Sequence, residues 1–125
     1  MPPRILIVDD SLLIREMLRD ILTDEGFEVV GEARDGVEAV ERFRELEPDL
    51  VVLDIVMPRR SGVEALVELV ALRPDARVLM CSALGQEALI QEALAGGALG
   101  FIVKPFSSED VTAAVHGAMR EKLRG

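Results

Sequence analysis

Short apolar runs alternate with longer amphipathic stretches along the chain, and this alternation limits the fold more than any other feature. Four of the runs have three or four residues each and contain no polar side chain, and a polar residue directly follows each of them. This is typical of parallel strands buried on both faces. These runs are Ile5 to Val8, Leu50 to Leu53, Val78 to Cys81 and Phe101 to Val103. A fifth run, Phe27 to Ala33, is interrupted by Glu28 and Glu32 and indicates an edge strand.

Between the runs, apolar residues recur at the spacing of one helix face, as at Ile14, Leu18, Ile21 and Leu22. Side chains that cap helix N-termini precede several of these stretches. Ser61 with Glu64 and Ser107 with Asp110 have capping-box spacing, and the other predicted caps are Ser11 and Asp35.

Five strand–helix units in succession predict an α/β fold with a parallel sheet that is doubly wound, with helices on both faces. A closed barrel of this type needs eight units and typically about 250 residues, so we expect an open sheet. Half of the 125 residues are apolar and only 3% are aromatic, which predicts a single aliphatic core domain over residues 1–125.

The chain is acidic, with a formal net charge of −9. A basic face for nucleic acid is therefore not expected, because phosphate contacts need clustered lysine and arginine. No apolar run approaches the ~20 residues of a membrane span, so we expect a cytoplasmic protein without membrane insertion.

Polar residues follow the four apolar runs directly: Asp9 and Asp10, then Asp54, Ser82 and Lys104. Ligands of open α/β sheets bind at the carboxyl ends of the strands, where these side chains would meet. Alone, Asp10 is explained as a cap or turn residue and Lys104 as a surface residue. Together, three carboxylates predict a Mg²⁺ site, and a lysine and a hydroxyl beside it predict phosphoryl transfer to a carboxylate.

Three segments of the chain are Ile7-Val8-Asp9-Asp10-Ser11, Leu53-Asp54-Ile55-Val56-Met57-Pro58 with Gly62, and Val103-Lys104-Pro105-Phe106. They resemble, in order, the signature segments of response-regulator receiver domains, and the resemblance runs from about Arg4 to Arg120. Within the family, the stretch from Cys81 to Gln86 is most similar to the stand-alone chemotaxis regulators. The resemblance implies a flavodoxin-like sheet with strand order 2-1-3-4-5.

The resemblance also implies roles for the residues at matching positions. Asp54 would accept a phosphoryl group from the phosphohistidine of a sensor histidine kinase. Asp10 and Asp54 would ligate Mg²⁺ together with the backbone carbonyl of Val56, and Asp9 would act mainly through water. Lys104 would pair with the phosphoryl group or with Asp54.

A switch and a partner face follow from the same resemblance. Ser82 would hydrogen-bond the phosphoryl group, and Phe101 would turn inward behind it as the aromatic switch. The predicted partner face consists of Ile90, Leu94 and Phe101. Burial in the core is an equally good interpretation of Ile90 and Leu94. The family suggests a flagellar motor switch protein and a phosphatase as further partners of a monomeric signalling protein that is not an enzyme.

Two positions depart from the best-known chemotaxis regulators. Val56 stands two residues after Asp54, where a polar residue is common, and Leu84 stands two residues after Ser82, where an acidic residue can occur. Both flank the path of a hydrolytic water, which predicts slow autodephosphorylation because apolar side chains cannot orient that water.

Most other functions possible for an α/β fold of this kind fit the sequence less well. A phosphatase with an aspartate nucleophile usually has a second aspartate where Val56 stands. A dinucleotide-binding protein would need a glycine-rich loop after the first strand, where the chain has Asp9-Asp10-Ser11. A receiver that signals without phosphorylation fits poorly with a full set of site residues. The receiver part of a longer regulator, or a phosphorelay intermediate with another output, stays open as the alternative.

Overall fold

Five strands and five helices alternate along residues 2–121, the part of the chain that this computed structural model describes. The strands are β1 (Arg4–Val8), β2 (Glu28–Ala33), β3 (Leu50–Asp54), β4 (Val78–Ser82) and β5 (Gly100–Val103). The helices are α1 (Leu12–Asp24), α2 (Gly36–Leu46), α3 (Gly62–Leu72), α4 (Glu87–Ala95) and α5 (Ser108–Arg120). The predicted domain 1–125 also includes residue 1 and residues 122–125, which lie outside the described residues.

The strands form one parallel sheet in the order β2-β1-β3-β4-β5. The predicted open, doubly wound fold of the flavodoxin-like type is therefore confirmed, with β2 at one edge as expected. The register places Val8 beside Leu53 and Asp54 beside Cys81, so the residues that follow β1, β3 and β4 emerge next to one another.

Alternate strand residues face two separate cores, as the pleat of a strand requires. One core lies under α2, α3 and α4 and includes Leu53 and Met80. The other lies under α1 and α5 and includes Ile7 and Cys81. Burial on both faces explains why β1, β3 and β4 are apolar except for one polar residue at an end of each strand.

The predicted helix starts are confirmed at four helices. Ser61 and Ser107 form capping boxes with Glu64 and Asp110, in which side chain and backbone bond reciprocally. The side chains of Ser11 and Asp35 accept hydrogen bonds from the third residues of α1 and α2. The start of α4 differs, because Gln86 makes no side-chain cap hydrogen bond there.

The prediction that β5 is buried on both faces is wrong. Ile102 is buried, but Phe101 is 45% exposed and Val103 is only partly buried. The reason is its place in the sheet, because β5 has a neighbouring strand only on the β4 side. Within residues 2–121, no helix combines the length and the apolar character that crossing a membrane would require.

Candidate functional site

Three carboxylates meet at the carboxyl end of the sheet. Asp9 follows β1, Asp10 comes next, and Asp54 is the last residue of β3. Their oxygen atoms lie within 4.8 Å of one another. Asp9 is fully buried and Asp54 is 5% exposed, whereas Asp10 is open to solvent. Close carboxylates in a buried position repel one another, so the cluster favours a bound cation.

Lys104, one residue past β5, supplies the positive charge that faces the carboxylates. Its Nζ lies 2.9 Å from Asp9 Oδ2 and 3.4 Å from Asp54 Oδ1. Its shorter contact is thus with Asp9, not with the predicted Asp54. Burial lowers the pKa of Lys104, but the hydrogen bond to Asp9 and the charge of Asp54 outweigh it and raise the pKa above its ordinary value.

Asp54 is the carboxylate whose proton affinity the site changes most strongly. Its pKa is raised to about 7, first by burial and then by the negative charge of Asp9, against the opposing charge of Lys104. One ammonium group therefore does not balance three carboxylates. Hard oxygen donors with excess negative charge are what Mg²⁺ prefers, so the residues present fit a divalent cation.

Ser82 ends β4 one residue after Cys81, the strand neighbour of Asp54, and is fully buried. Its hydroxyl oxygen has no hydrogen-bond partner among residues 2–121. Buried hydroxyl groups nearly always have a partner, and exceptions often mark a functional position. An acceptor oxygen at the neighbouring Asp54 would supply the missing contact.

The loop after Asp54, residues 55–61, is held by close backbone contact. The amide of Gly62 donates to the carbonyl of Ile55 at 2.7 Å. A Cβ atom at Gly62 would lie only 2.0 Å from the backbone oxygen of Asp54. Val56 lies on this loop and is 54% exposed. Only glycine at the start of α3 lets the loop return so closely to the end of β3.

Residues Asp35 and Arg59 also hold this loop, and the sequence did not reveal them as a pair. The Arg59 guanidinium contacts the Asp35 carboxylate through two nitrogen atoms, across 24 residues of chain. Asp35 was predicted only as a helix cap. Burial raises its pKa, but hydrogen bonds from Arg59 and from the Glu38 amide outweigh this and keep the pKa below its ordinary value.

Two of the three residues predicted to form a partner face are buried or partly buried. Ile90 is only 7% exposed and packs in the core under α4, and Leu94 is partly buried against the same core. The reason is that α4 turns both residues towards the sheet. Leu84 and Phe101 are 80% and 45% exposed, and they line a groove of about 210 Å³ whose wall Ile90 completes.

The geometry agrees with what comparison with known proteins finds. A family model described as the response regulator receiver domain matches residues 5–116. The chain belongs to this family. The crystal structure of the receiver domain of NtrX from Brucella abortus has the same fold, with a TM-score of 0.88 and 33% sequence identity.

Two proteins named chemotaxis protein CheY illustrate the similarity, one from Thermotoga maritima and one from Bacillus subtilis. Each is 48% identical over 116 residues, covering 93% of this chain and 97% of the relative. A crystal structure of a CheX–CheY–BeF3–Mg²⁺ complex from Borrelia burgdorferi contains a chain that is 39% identical. It matches with a TM-score of 0.92 and covers 97% of this receiver and 92% of that chain.

Proposed function

We propose that this receiver is phosphorylated on Asp54 by the phosphohistidine of a sensor histidine kinase in a Mg²⁺-dependent step. One observation carries the proposal. Asp54 is buried close to two other carboxylates and to the ammonium group of Lys104. On the adjacent strand lies the hydroxyl of Ser82, which has no hydrogen-bond partner among residues 2–121. Phosphoryl transfer depends mainly on such positioning and charge neutralisation.

The metal would be held by Asp10 and Asp54 directly, by the backbone carbonyl of Val56, and by Asp9 mainly through water. When bound, Mg²⁺ neutralises carboxylate and phosphoryl charge that Lys104 alone cannot balance. The composition named for the B. burgdorferi complex, which includes Mg²⁺, supports this choice of cation.

The chain's own groups have separate tasks in the transfer. An oxygen of ionised Asp54 forms the new P–O bond, while the P–N bond of the phosphohistidine breaks and its electron pair returns to the imidazole ring. Lys104 lies within 3.4 Å of Asp54 and would contact a phosphoryl oxygen there. Ser82 would donate a hydrogen bond from its hydroxyl group to a second phosphoryl oxygen.

The output would pass through Ser82 and Phe101. Movement of Ser82 towards the phosphoryl group would let the exposed Phe101 ring turn inward and change the face formed by α4, β5 and α5. Phosphorylation would thereby shift an existing equilibrium between two arrangements. Because the relatives are chemotaxis proteins, we propose a flagellar motor switch protein as the partner of this monomer, and a phosphatase as a further partner.

Intact mass spectrometry tests the proposal. The full chain with Mg²⁺ and acetyl phosphate should gain the mass of one phosphoryl group, and the gain should vanish with EDTA or in Asp54→Asn. Asp20→Asn, the same change at an exposed position on α1, is the control and should gain the group like the parent. A parent without the gain, or a gain that persists in Asp54→Asn, would contradict the proposal.

The lifetime of the phosphoryl group is a second expected result. Val56 and Leu84 are 54% and 80% exposed at the mouth of the site, and neither can orient a hydrolytic water. The double variant Val56→Asn/Leu84→Glu should lose the group at least ~10-fold faster, because polar side chains can position the water. Decay of the phosphorylated mass measures the lifetime.

The matched control for this lifetime is Val67→Asn on α3, where the valine is 59% exposed but far from the strand ends. It should leave the lifetime unchanged. Equal lifetimes in the parent and the double variant would show that Val56 and Leu84 do not set the rate.

A further inference from the structure

The loop that joins Asp54 to α3, residues 55–61, contains one strained backbone position. Arg59 has φ of 66°, in the left-handed region that favours glycine or asparagine. A side chain in this conformation strains the backbone, because its Cβ approaches the following carbonyl oxygen. Such strain persists when the surrounding contacts over-determine the conformation. Arginine at this position therefore points to a task for its side chain.

The Arg59 side chain bridges to the N-terminus of α2. Its Nε donates to Asp35 Oδ2 at 2.9 Å, and its Nη2 donates to Asp35 Oδ1 at 3.2 Å. Two parallel hydrogen bonds fix the relative orientation of the two groups as well as their distance. The Asp35 side chain is only 7% exposed, so one half of the pair is shielded from water.

Asp35 is itself a rigid anchor. Its Oδ1 accepts a hydrogen bond from the Glu38 amide at 2.8 Å and so caps α2. The next residue, Gly36, packs directly on the loop, because a Cβ atom there would lie 2.4 Å from the backbone oxygen of Arg60. The loop is thus pressed against the start of α2 by backbone contact and tied to it by Arg59.

We infer that Asp35 and Arg59 form a latch that positions residues 55–61 so that the Val56 carbonyl faces the Mg²⁺ site. The inference rests on the proposed function. Val56 lies between two fixed points, the contact of Gly62 with the end of β3 and the contact of Arg59 with Asp35. Both latch residues are positioning residues, because they act on the ligand carbonyl through the loop backbone.

Long-range charge and the latch predict opposite effects of removing Arg59. Loss of a positive charge near an acidic site should strengthen cation binding. Loss of the latch should weaken cation binding, because the loop would then have to become ordered when the cation binds, at a cost in conformational entropy. Groups that orient metal ligands typically affect metal affinity by 10–100-fold. For a partly exposed pair we expect Arg59→Gln to raise the Mg²⁺ dissociation constant by about 10-fold.

Arg34→Gln is the matched control. Arg34 is adjacent to Asp35 and pairs at 3.0 Å with Glu38, but its contact is confined to the start of α2 and does not reach the loop. It loses the same charge in the same region, so it should bind Mg²⁺ as tightly as the parent or more tightly. Asp35→Asn keeps one oxygen as a good helix cap and removes both the charge and the second acceptor oxygen that Arg59 contacts.

Isothermal titration calorimetry of the full chain with Mg²⁺ tests the latch, together with Tm measured in EDTA. Weaker binding in Arg59→Gln and Asp35→Asn, but not in Arg34→Gln, is the expected result. The double variant Asp35→Asn/Arg59→Gln should have about the same Mg²⁺ dissociation constant as the single variant that binds Mg²⁺ less tightly, because both changes open the same contact.

The outcomes separate the latch from the proposed function. A parent that binds Mg²⁺ while Arg59→Gln binds equally or more tightly would overturn the latch alone. A lower Tm in EDTA with an unchanged dissociation constant would also overturn it, since the pair would then be merely structural. A parent that binds no Mg²⁺ would overturn the proposed metal site and the latch with it.

Discussion

Gly62→Ala should lower the free energy of unfolding by about 3 kcal/mol or more, a large loss for a single methyl group. The added Cβ would lie 2.0 Å from the backbone oxygen of Asp54 and 2.8 Å from Ile55 Cα. Both neighbours are backbone atoms, one in the last residue of β3 and one in the residue that follows it, so neither can rotate away as a flexible side chain would. Relief of the contact requires the start of α3 to move.

Urea denaturation followed by circular dichroism in EDTA measures this loss. Gly117→Ala is the matched control, because this glycine lies within α5 and an added Cβ would meet no atom within 4 Å. It should stabilise the protein by about 0.5–1 kcal/mol, as alanine does in place of glycine within a helix. If Gly62→Ala proves as stable as the parent, the close approach of α3 to β3 is not as the structure describes.

Asp54→Asn should make the metal-free protein more stable above neutral pH, even though it removes the proposed phosphorylation site. The pKa of Asp54 is about 7 in the folded protein, against an ordinary value of 3.8. Between these values the folded state holds a proton that the unfolded state has lost. The stability of the parent therefore falls as pH rises from about 4 to about 7, and then stays low.

The uncharged asparagine removes this dependence on pH. After allowance for partial solvent screening, we expect a stability difference of about 2 kcal/mol in favour of Asp54→Asn above pH 7, vanishing near pH 4. Urea denaturation in EDTA across this range gives the two curves. Asp20→Asn, at an exposed position of α1, should follow the parent.

Magnesium should reverse the order of the two proteins. A cation that binds the carboxylates stabilises the folded parent by mass action. It should stabilise folded Asp54→Asn less, because the side chain at position 54 no longer carries a charge. Parallel pH curves for the parent and Asp54→Asn in EDTA would show that burial and the charge of Asp9 do not raise the pKa of Asp54.

The carboxyl-end cluster could be predicted from the sequence because its logic is local. Asp9, Asp54 and Ser82 each follow or end an apolar run, and parallel strands bring their carboxyl ends to the same side of a sheet. The helix caps were predictable for the same reason, since each is a contact between residues three positions apart. Such patterns need no knowledge of how distant segments pack.

Features set by packing were predicted less well. The apolar residues of α4 surround much of the helix, so periodicity could not decide that Ile90 faces the core. Leu84 precedes the first residue of α4 and is exposed. The run that forms β5 is as apolar as the central strands, although its place at the edge leaves Phe101 half uncovered. Arg59 and Asp35 lie 24 residues apart, and no pattern in the sequence predicts that they pair.

The buried hydroxyl of Ser82 has a thermodynamic consequence for signalling. A hydroxyl already bonded within the protein would exchange one partner for another when a phosphoryl oxygen arrived, with little net gain. Ser82 has no such partner among residues 2–121 to give up. Its first bond would thus contribute nearly its full strength, about 1.5–3 kcal/mol when the acceptor is charged, to the difference between the two arrangements. That is enough to change their ratio by roughly 10- to 150-fold, before Phe101 or a partner adds anything.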